Sequence, residues 1–98
     1  MIIHTVAFKL KHAPDSAAAR TFLAKGKALA SIETVQNFRC LRQGSAKNPY
    51  AFCFSMEFAD QAAYDFYNQH PDHQAFVHNV WVPEVEAFLE ADFVAMDE

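Results

Sequence analysis

Seven consecutive residues, Tyr67-Asn68-Gln69-His70-Pro71-Asp72-His73, gather a phenol and two imidazoles around a proline. Imidazole is the only side chain whose ordinary pKa lets it exchange protons near neutrality, and a phenol beside it can orient a carbonyl or share that proton. Proline has no amide proton and clashes with the preceding turn, so it interrupts any helix that reaches it. Such a bend aims the polar rings on either side, which makes the segment the first candidate site. Two readings of it stand side by side. Either His73 and Tyr67 carry chemistry, or His70, Pro71 and His73 form a structural brace whose imidazoles satisfy backbone groups freed at the broken helix end. A metal centre from His70, His73 and His78 is disfavoured, because one-turn spacing does not hold across the proline and no carboxylate partner is evident. No metal is expected.

The elements that must position these rings follow from periodicity. Residues 2 to 11 alternate, with Ile2, His4, Val6, Phe8 and Leu10 on one face and Ile3, Thr5, Ala7 and Lys9 on the other, as a strand requires. Pro14 and Asp15 mark a helix start, and Phe22, Leu23, Gly26, Leu29 and Ala30 recur at helical spacing to about Ser31. Residues 35 to 43 and 50 to 58 read as an antiparallel hairpin around the turn formers Gly44 to Pro49. In its second strand Tyr50, Phe52, Phe54, Met56 and Phe58 share a face, and Ala51, Cys53 and Ser55 make the other small and uncharged. That strand is expected to be covered on both sides.

Asp60 suits the N-cap of a helix carrying Ala63, Tyr64, Phe66 and Tyr67, which Pro71 must end. A short helical segment from Asp72 to about Val80 follows, and Glu84 to Ala95 reads as a helical turn passing into a fourth strand. The order β-α-β-β-α-β is the ferredoxin-like α+β arrangement, with helices on one face of a four-stranded antiparallel sheet. The opposite face is left bare. Covering it with the same sheet of a second copy would bury Ile3, Ala7, Ala51 and Cys53 and produce a two-fold homodimer.

Composition bounds the partners. A chain of 98 residues is expected to form a single domain over residues 1–98, and 52% hydrophobic residues with 10 Phe exceed what a small monomer easily hides. That excess argues for a partner chain or a bound ligand. The net charge of -4 and the scattering of Arg20, Lys25, Lys27, Arg39, Arg42 and Lys47 exclude a nucleic-acid footprint. No run approaches a membrane span, and the alternating start is unlike a signal peptide, so a cytoplasmic location is expected. Cys40 and Cys53, counted back from the hairpin turn, fall opposite each other on the bare face and are expected to be thiols. His12, His78 and the tail Asp97-Glu98 are expected to be solvated, and Trp81 and Pro83 to pack as core or dimer rim.

The sequence resembles the stress-responsive A/B barrel (Dabb) family of the dimeric α/β barrel superfamily. The resemblance rests on His4-Thr5-Val6-Ala7-Phe8-Lys9, Gly44, Phe58, the Tyr67 to His73 string with Phe76-Val77, and Asp92-Phe93. It implies a homodimer in which two sheets form a barrel, and a cavity in each subunit between sheet and helices. It further implies sites: olivetolic acid cyclase, a plant branch, folds a linear polyketide by aldol condensation with a histidine at the position of His73 and a tyrosine at that of Tyr67. Its strand-one histidine corresponds to His4, and a further pocket tyrosine falls on Gly26, which implies a differently shaped substrate.

In such a cavity the face carrying His4, Val6, Phe8, Phe54 and Met56, roofed by Phe22, Leu23 and Gly26, makes an apolar slot for a small aromatic or polyketide-like ligand. His73 would remove a proton beside a carbonyl, and Tyr67 would bond the oxygen where enolate charge develops, with no cofactor. Binding without turnover is the reading from another class. Related dimeric α/β barrels include cofactor-free monooxygenases and haem-degrading enzymes, which adds His4 or His78 as an axial haem ligand.

Overall fold

The computed structural model describes residues 1–96, and the tail Asp97-Glu98 lies outside them. Four strands, β1 (Ile2–Leu10), β2 (Gln36–Arg42), β3 (Phe52–Phe58) and β4 (Val85–Phe93), form one antiparallel sheet in the order β2-β3-β1-β4. The helices α1 (Ala17–Lys27), α2 (Gln61–Gln69) and α3 (Pro71–Phe76) cover one face. This is the ferredoxin-like α+β fold.

Local chemistry accounts for the helix boundaries. Ser16 Oγ accepts from the Ala19 amide at 3.1 Å, and Asp60 Oδ1 accepts from the Ala63 amide at 2.8 Å, so α1 and α2 each start on a side-chain cap. After Lys27 the chain tightens into a 3-10 turn, Ala28–Ser31. Helix α2 closes at Gln69, and Pro71 occupies the first position of α3, where its missing amide proton costs nothing. Beyond α3, a π-helical turn (Val77–Trp81) and a last turn (Val82–Glu84) lead into β4.

The core lies between sheet and helices. Val6, Phe8 and Leu10 of β1 meet Phe52, Phe54, Met56 and Phe58 of β3 and are roofed by Ala19 and Phe22 of α1. Phe8 is the centre of an aromatic cluster, with ring centroids 4.8 Å from Phe54, 5.5 Å from Phe22 and 5.1 Å from Trp81. Rings offset in this way add to the burial of their area.

Gly26 allows the close approach of α1 to this cluster. A Cβ there would lie 2.3 Å from the tip of the Phe54 ring, which is itself packed against Phe8 and Phe38. Among the described residues no helix covers the opposite face of the sheet. Leu41, Cys53, Ala7 and Leu89 lie in one row across it, and Ile3 and Phe93 in another. Leu89 and Phe93 are 58% and 55% exposed and give this face an apolar surface.

Three local expectations require correction. Cys53 pairs with Leu41, not with Cys40, because the hairpin loop closes one residue out of the counted register, with Gln43 bonding the Ala51 carbonyl. Cys40 therefore turns to the helix side and packs on the core. Farther along β2 a bulge between Gln36 and Arg39 places Asn37 at a positive φ of 49°. His12 is half-buried, with Nε2 2.7 Å from Glu84 Oε1, and so ties the end of β1 to the entry of β4. Strand β3 begins at Phe52, two residues later than its alternation suggests.

Substituting Gly26→Ala should destabilise the protein by about 1–3 kcal/mol through overpacking, outweighing the roughly 1 kcal/mol that alanine gains in a helix. Urea melts check this, and the cost should shrink in a Phe54→Leu background. An equal cost in both backgrounds would contradict the packing account.

Candidate functional site

The proline break determines the geometry of the site. With no amide proton at Pro71, the Tyr67 carbonyl is taken instead by the His70 amide at 3.2 Å, and the helix ends. The Asn68 carbonyl is then free of a helical partner, and the His73 ring bonds it through Nδ1 at 3.2 Å, beside Gln74 Nε2 at 2.7 Å. A carbonyl only accepts, so Nδ1 carries the proton and Nε2 is left with its lone pair. Burial is the largest influence on His73 and holds its pKa below the ordinary histidine value.

Tyr67, in the last turn of α2, sets its ring centroid 4.3 Å from that of His73, the two planes tilted by 47°. Burial first, and the Glu90 carboxylate second, push the Tyr67 phenol above its ordinary pKa, so it stays a donor at neutral pH. His4 faces the pair from β1, its ring 6.3 Å from Tyr67. Its Nδ1 lies 2.6 Å from Asp92 Oδ1 on β4, and the Tyr64 hydroxyl donates to Asp92 Oδ2 at 2.9 Å while lying 2.9 Å from the same Nδ1. The carboxylate thus holds the proton on Nδ1 and leaves Nε2 of His4 unbonded.

These groups border a recess of about 260 Å³ between the sheet and the segment after the break. Val6, Phe54 and Met56 form its sheet wall, and Leu29 closes the side next to α1. Phe76, Val77 and Trp81 stand opposite, with Phe88 and Glu90 of β4 at the edge. Among the described residues only Thr34 Oγ1 is a sealed side-chain polar atom without a partner. His4 Nε2, Tyr67 Oη and His73 Nε2, which bond no protein group, are therefore accessible from the recess.

Over residues 2–95 the chain matches the profile of the stress responsive A/B barrel domain, Dabb. It belongs to the Dabb family. A Dabb protein of ferredoxin-like fold from Mesorhizobium loti is 57% identical, the match covering 98% of this chain and 97% of that one at a TM-score of 0.95. An Arabidopsis thaliana protein is 19% identical over 100% and 98% of the two chains, TM-score 0.86, and shares the fold. So does the hydroxynitrile lyase of Passiflora edulis, 12% identical over 99% and 94%, TM-score 0.86. No curated protein matches the sequence.

Of the residues singled out from sequence, this Dabb domain brings His4, Val6, Phe54, Met56, Tyr67 and His73 to one recess. Phe8 and Phe22 sit deeper, fully buried in the core, and Gly26 lies behind the Phe54 ring. Leu23 faces a separate surface groove beside Cys40 and Arg42. His70 points away, its Nδ1 accepting from the Asp72 amide at 3.0 Å and capping α3. His78 is exposed, Trp81 is half-buried on the recess wall, and Pro83 is exposed. Among the described residues no three His, Cys, Asp or Glu side chains form a metal-ligating group. No helix of the described residues is long and apolar enough to cross a membrane.

Asp92, Tyr64, Asn68 and Glu90 were not singled out as site residues by sequence. The alternation of β4 is the signal that could have found two of them, since Phe88, Glu90 and Asp92 share a face.

The His73 pKa has a stability consequence with a definite sign. Between its lowered folded value and the unfolded value of about 6.5, the unfolded chain binds the proton more readily. The contribution of neutral His73 is therefore complete above about pH 6.5 and lost as pH falls through the folded value. Urea melts between pH 7.5 and pH 5 should show a slope in this window that His73→Gln flattens, because Gln can still donate to the Asn68 carbonyl without taking a charge. The same slope in the variant would contradict the assignment.

Proposed function

We propose that this Dabb protein is a homodimer joined through the uncovered sheet face, and that each recess binds a small, largely apolar compound bearing a carbonyl. The observation that carries the ligand reading is the pair of imidazoles whose Nδ1 atoms are engaged by the protein, leaving Nε2 of each at the recess beside the Tyr67 hydroxyl. Apolar walls with a few converging polar groups are the usual composition of a small-molecule site.

In this reading the reaction is a cofactor-independent proton transfer. His73 Nε2 takes a proton from a carbon next to the carbonyl, the C–H electron pair moves into the enolate, and Tyr67 donates to the oxygen where charge develops. The enolate carbon can then attack a second carbonyl of the same molecule, as in a polyketide cyclase, with His73 returning the proton to the new alkoxide. His4, held by Asp92 and Tyr64, offers a second fixed acceptor. The Passiflora edulis lyase lends the fold alone to this reading, since fold does not assign activity. A recess of about 260 Å³ suits a single ring with a short chain and leaves little room for a tetrapyrrole, which weighs against a haem role for His4.

Binding without turnover is the second reading, favoured by one observation: the bond from His73 Nδ1 to the Asn68 carbonyl also braces the broken helix. The dimer reading is supported by the outward-facing row of Leu41, Cys53, Ala7 and Leu89, and by dimeric proteins of this fold from Thermobifida fusca and Bacteroides fragilis.

A thermal-shift screen of aromatic ketones, phenols and short polyketide mimics should raise the melting temperature of the wild type and less so that of Tyr67→Phe and His73→Ala. Hits that stabilise all three equally would place the ligand elsewhere. Turnover of a hit, lost in His73→Ala, separates catalysis from binding. Sedimentation should give twice the chain mass for the wild type and His73→Ala, and the monomer mass for Leu89→Glu. A monomeric wild type would sink the dimer.

A further inference from the structure

One wall residue plays no part in the proton transfer above. Glu90 stands opposite Val6 in the β1–β4 pairing, two residues from Phe88 and two from Asp92 on the same face of β4. It borders the recess, whose lining residues include no lysine or arginine. The only groups there able to become cationic are the two imidazoles. The neighbouring walls of Trp81, Phe88 and Phe76 are aromatic, and aromatic faces attract both cations and neutral rings.

We infer that Glu90 is a specificity residue: the recess takes neutral or amine-bearing aromatic carbonyl compounds and rejects their carboxylates. The inference rests on the ligand-binding reading above and adds a charge requirement to it. An anion entering this recess passes the Glu90 carboxylate at its exposed edge, with no lysine or arginine on the wall to offset that charge, which is selection by repulsion. A neutral ketone meets no such penalty, and an ammonium group gains both Glu90 and the aromatic faces. The same carboxylate favours the imidazolium that His73 becomes when it accepts a proton, and favours the protonated, donating form of Tyr67. Its position thus suits a site that places positive charge on His73 and keeps Tyr67 a donor.

Three probes of nearly equal shape separate the possibilities: acetophenone, its para-carboxylate and its para-aminomethyl derivative. Binding is read by calorimetry and by shifts of the His73 ring resonances at low ionic strength. The wild type should bind the neutral and cationic probes and bind the carboxylate at least about ten-fold more weakly. Glu90→Gln, at an exposed position and verified by an unchanged thermal melt, should bring the carboxylate to within about three-fold of the neutral probe and reduce the advantage of the amine to what the aromatic faces supply. A carboxylate that binds the wild type as well as acetophenone would overturn the role of Glu90 while leaving the recess a binding site. A gap that persists unchanged in Glu90→Gln would overturn it as well. Failure of all three probes to bind the wild type would overturn both this inference and the ligand reading beneath it.

Discussion

The missing amide proton of Pro71 is the constraint on which the site depends. A helix carried through residue 71 would leave Tyr67 and His73 on successive turns of one rod, with the Asn68 carbonyl consumed inside it. The break instead frees that carbonyl, and His73 bonds it. One backbone defect thereby fixes the ring orientation and selects the tautomer, and it leaves a nitrogen lone pair facing the sheet. The cost of ending a helix at this point is offset by two side chains: His70 caps the new helix and Gln74 shares the freed carbonyl.

The sheet supplies the complementary half. Antiparallel pairing of β1 with β4 sets His4 against Asp92 and Val6 against Glu90, so residues from opposite ends of the chain meet through backbone register alone. Strand β4 is unusual in turning its polar parity toward the recess and its apolar parity, Leu89, Ala91 and Phe93, to the uncovered face. One parity borders the recess and the other lies on the uncovered face, the surface assigned to a second copy in the proposed dimer, and a one-residue slip of β4 would exchange them.

Much of this was legible in the sequence wherever the signal was local. The alternation of β1 and β3, the Asp60 cap and the interruption at Pro71 each arise from neighbouring residues, and each stands in the structure, with β3 starting two residues later than read. What depended on register was not legible. Cys40 and Leu41 exchange faces with the length of one loop, and the contact of His4 with Asp92 and Tyr64 requires knowing which rows of β1, β4 and α2 coincide. Depth was equally hidden. Phe8 shares the face of Val6, yet α1, drawn in by Gly26, buries Phe8 completely and leaves Val6 at the recess wall. The Phe54 ring fills the space beside Gly26, so a side chain at that position would meet the core and not the recess.

The protonation state of the His73 ring tests the central claim most directly. Long-range nitrogen–proton spectra of the imidazole, recorded across pH with and without a bound aromatic ketone, should show the proton on Nδ1, a pKa below the ordinary histidine value, and a ligand-induced shift at Nε2. A proton on Nε2, or a resonance that ignores every ligand stabilising the protein, would contradict the account and leave the Tyr67 to His73 string as a brace for the broken helix.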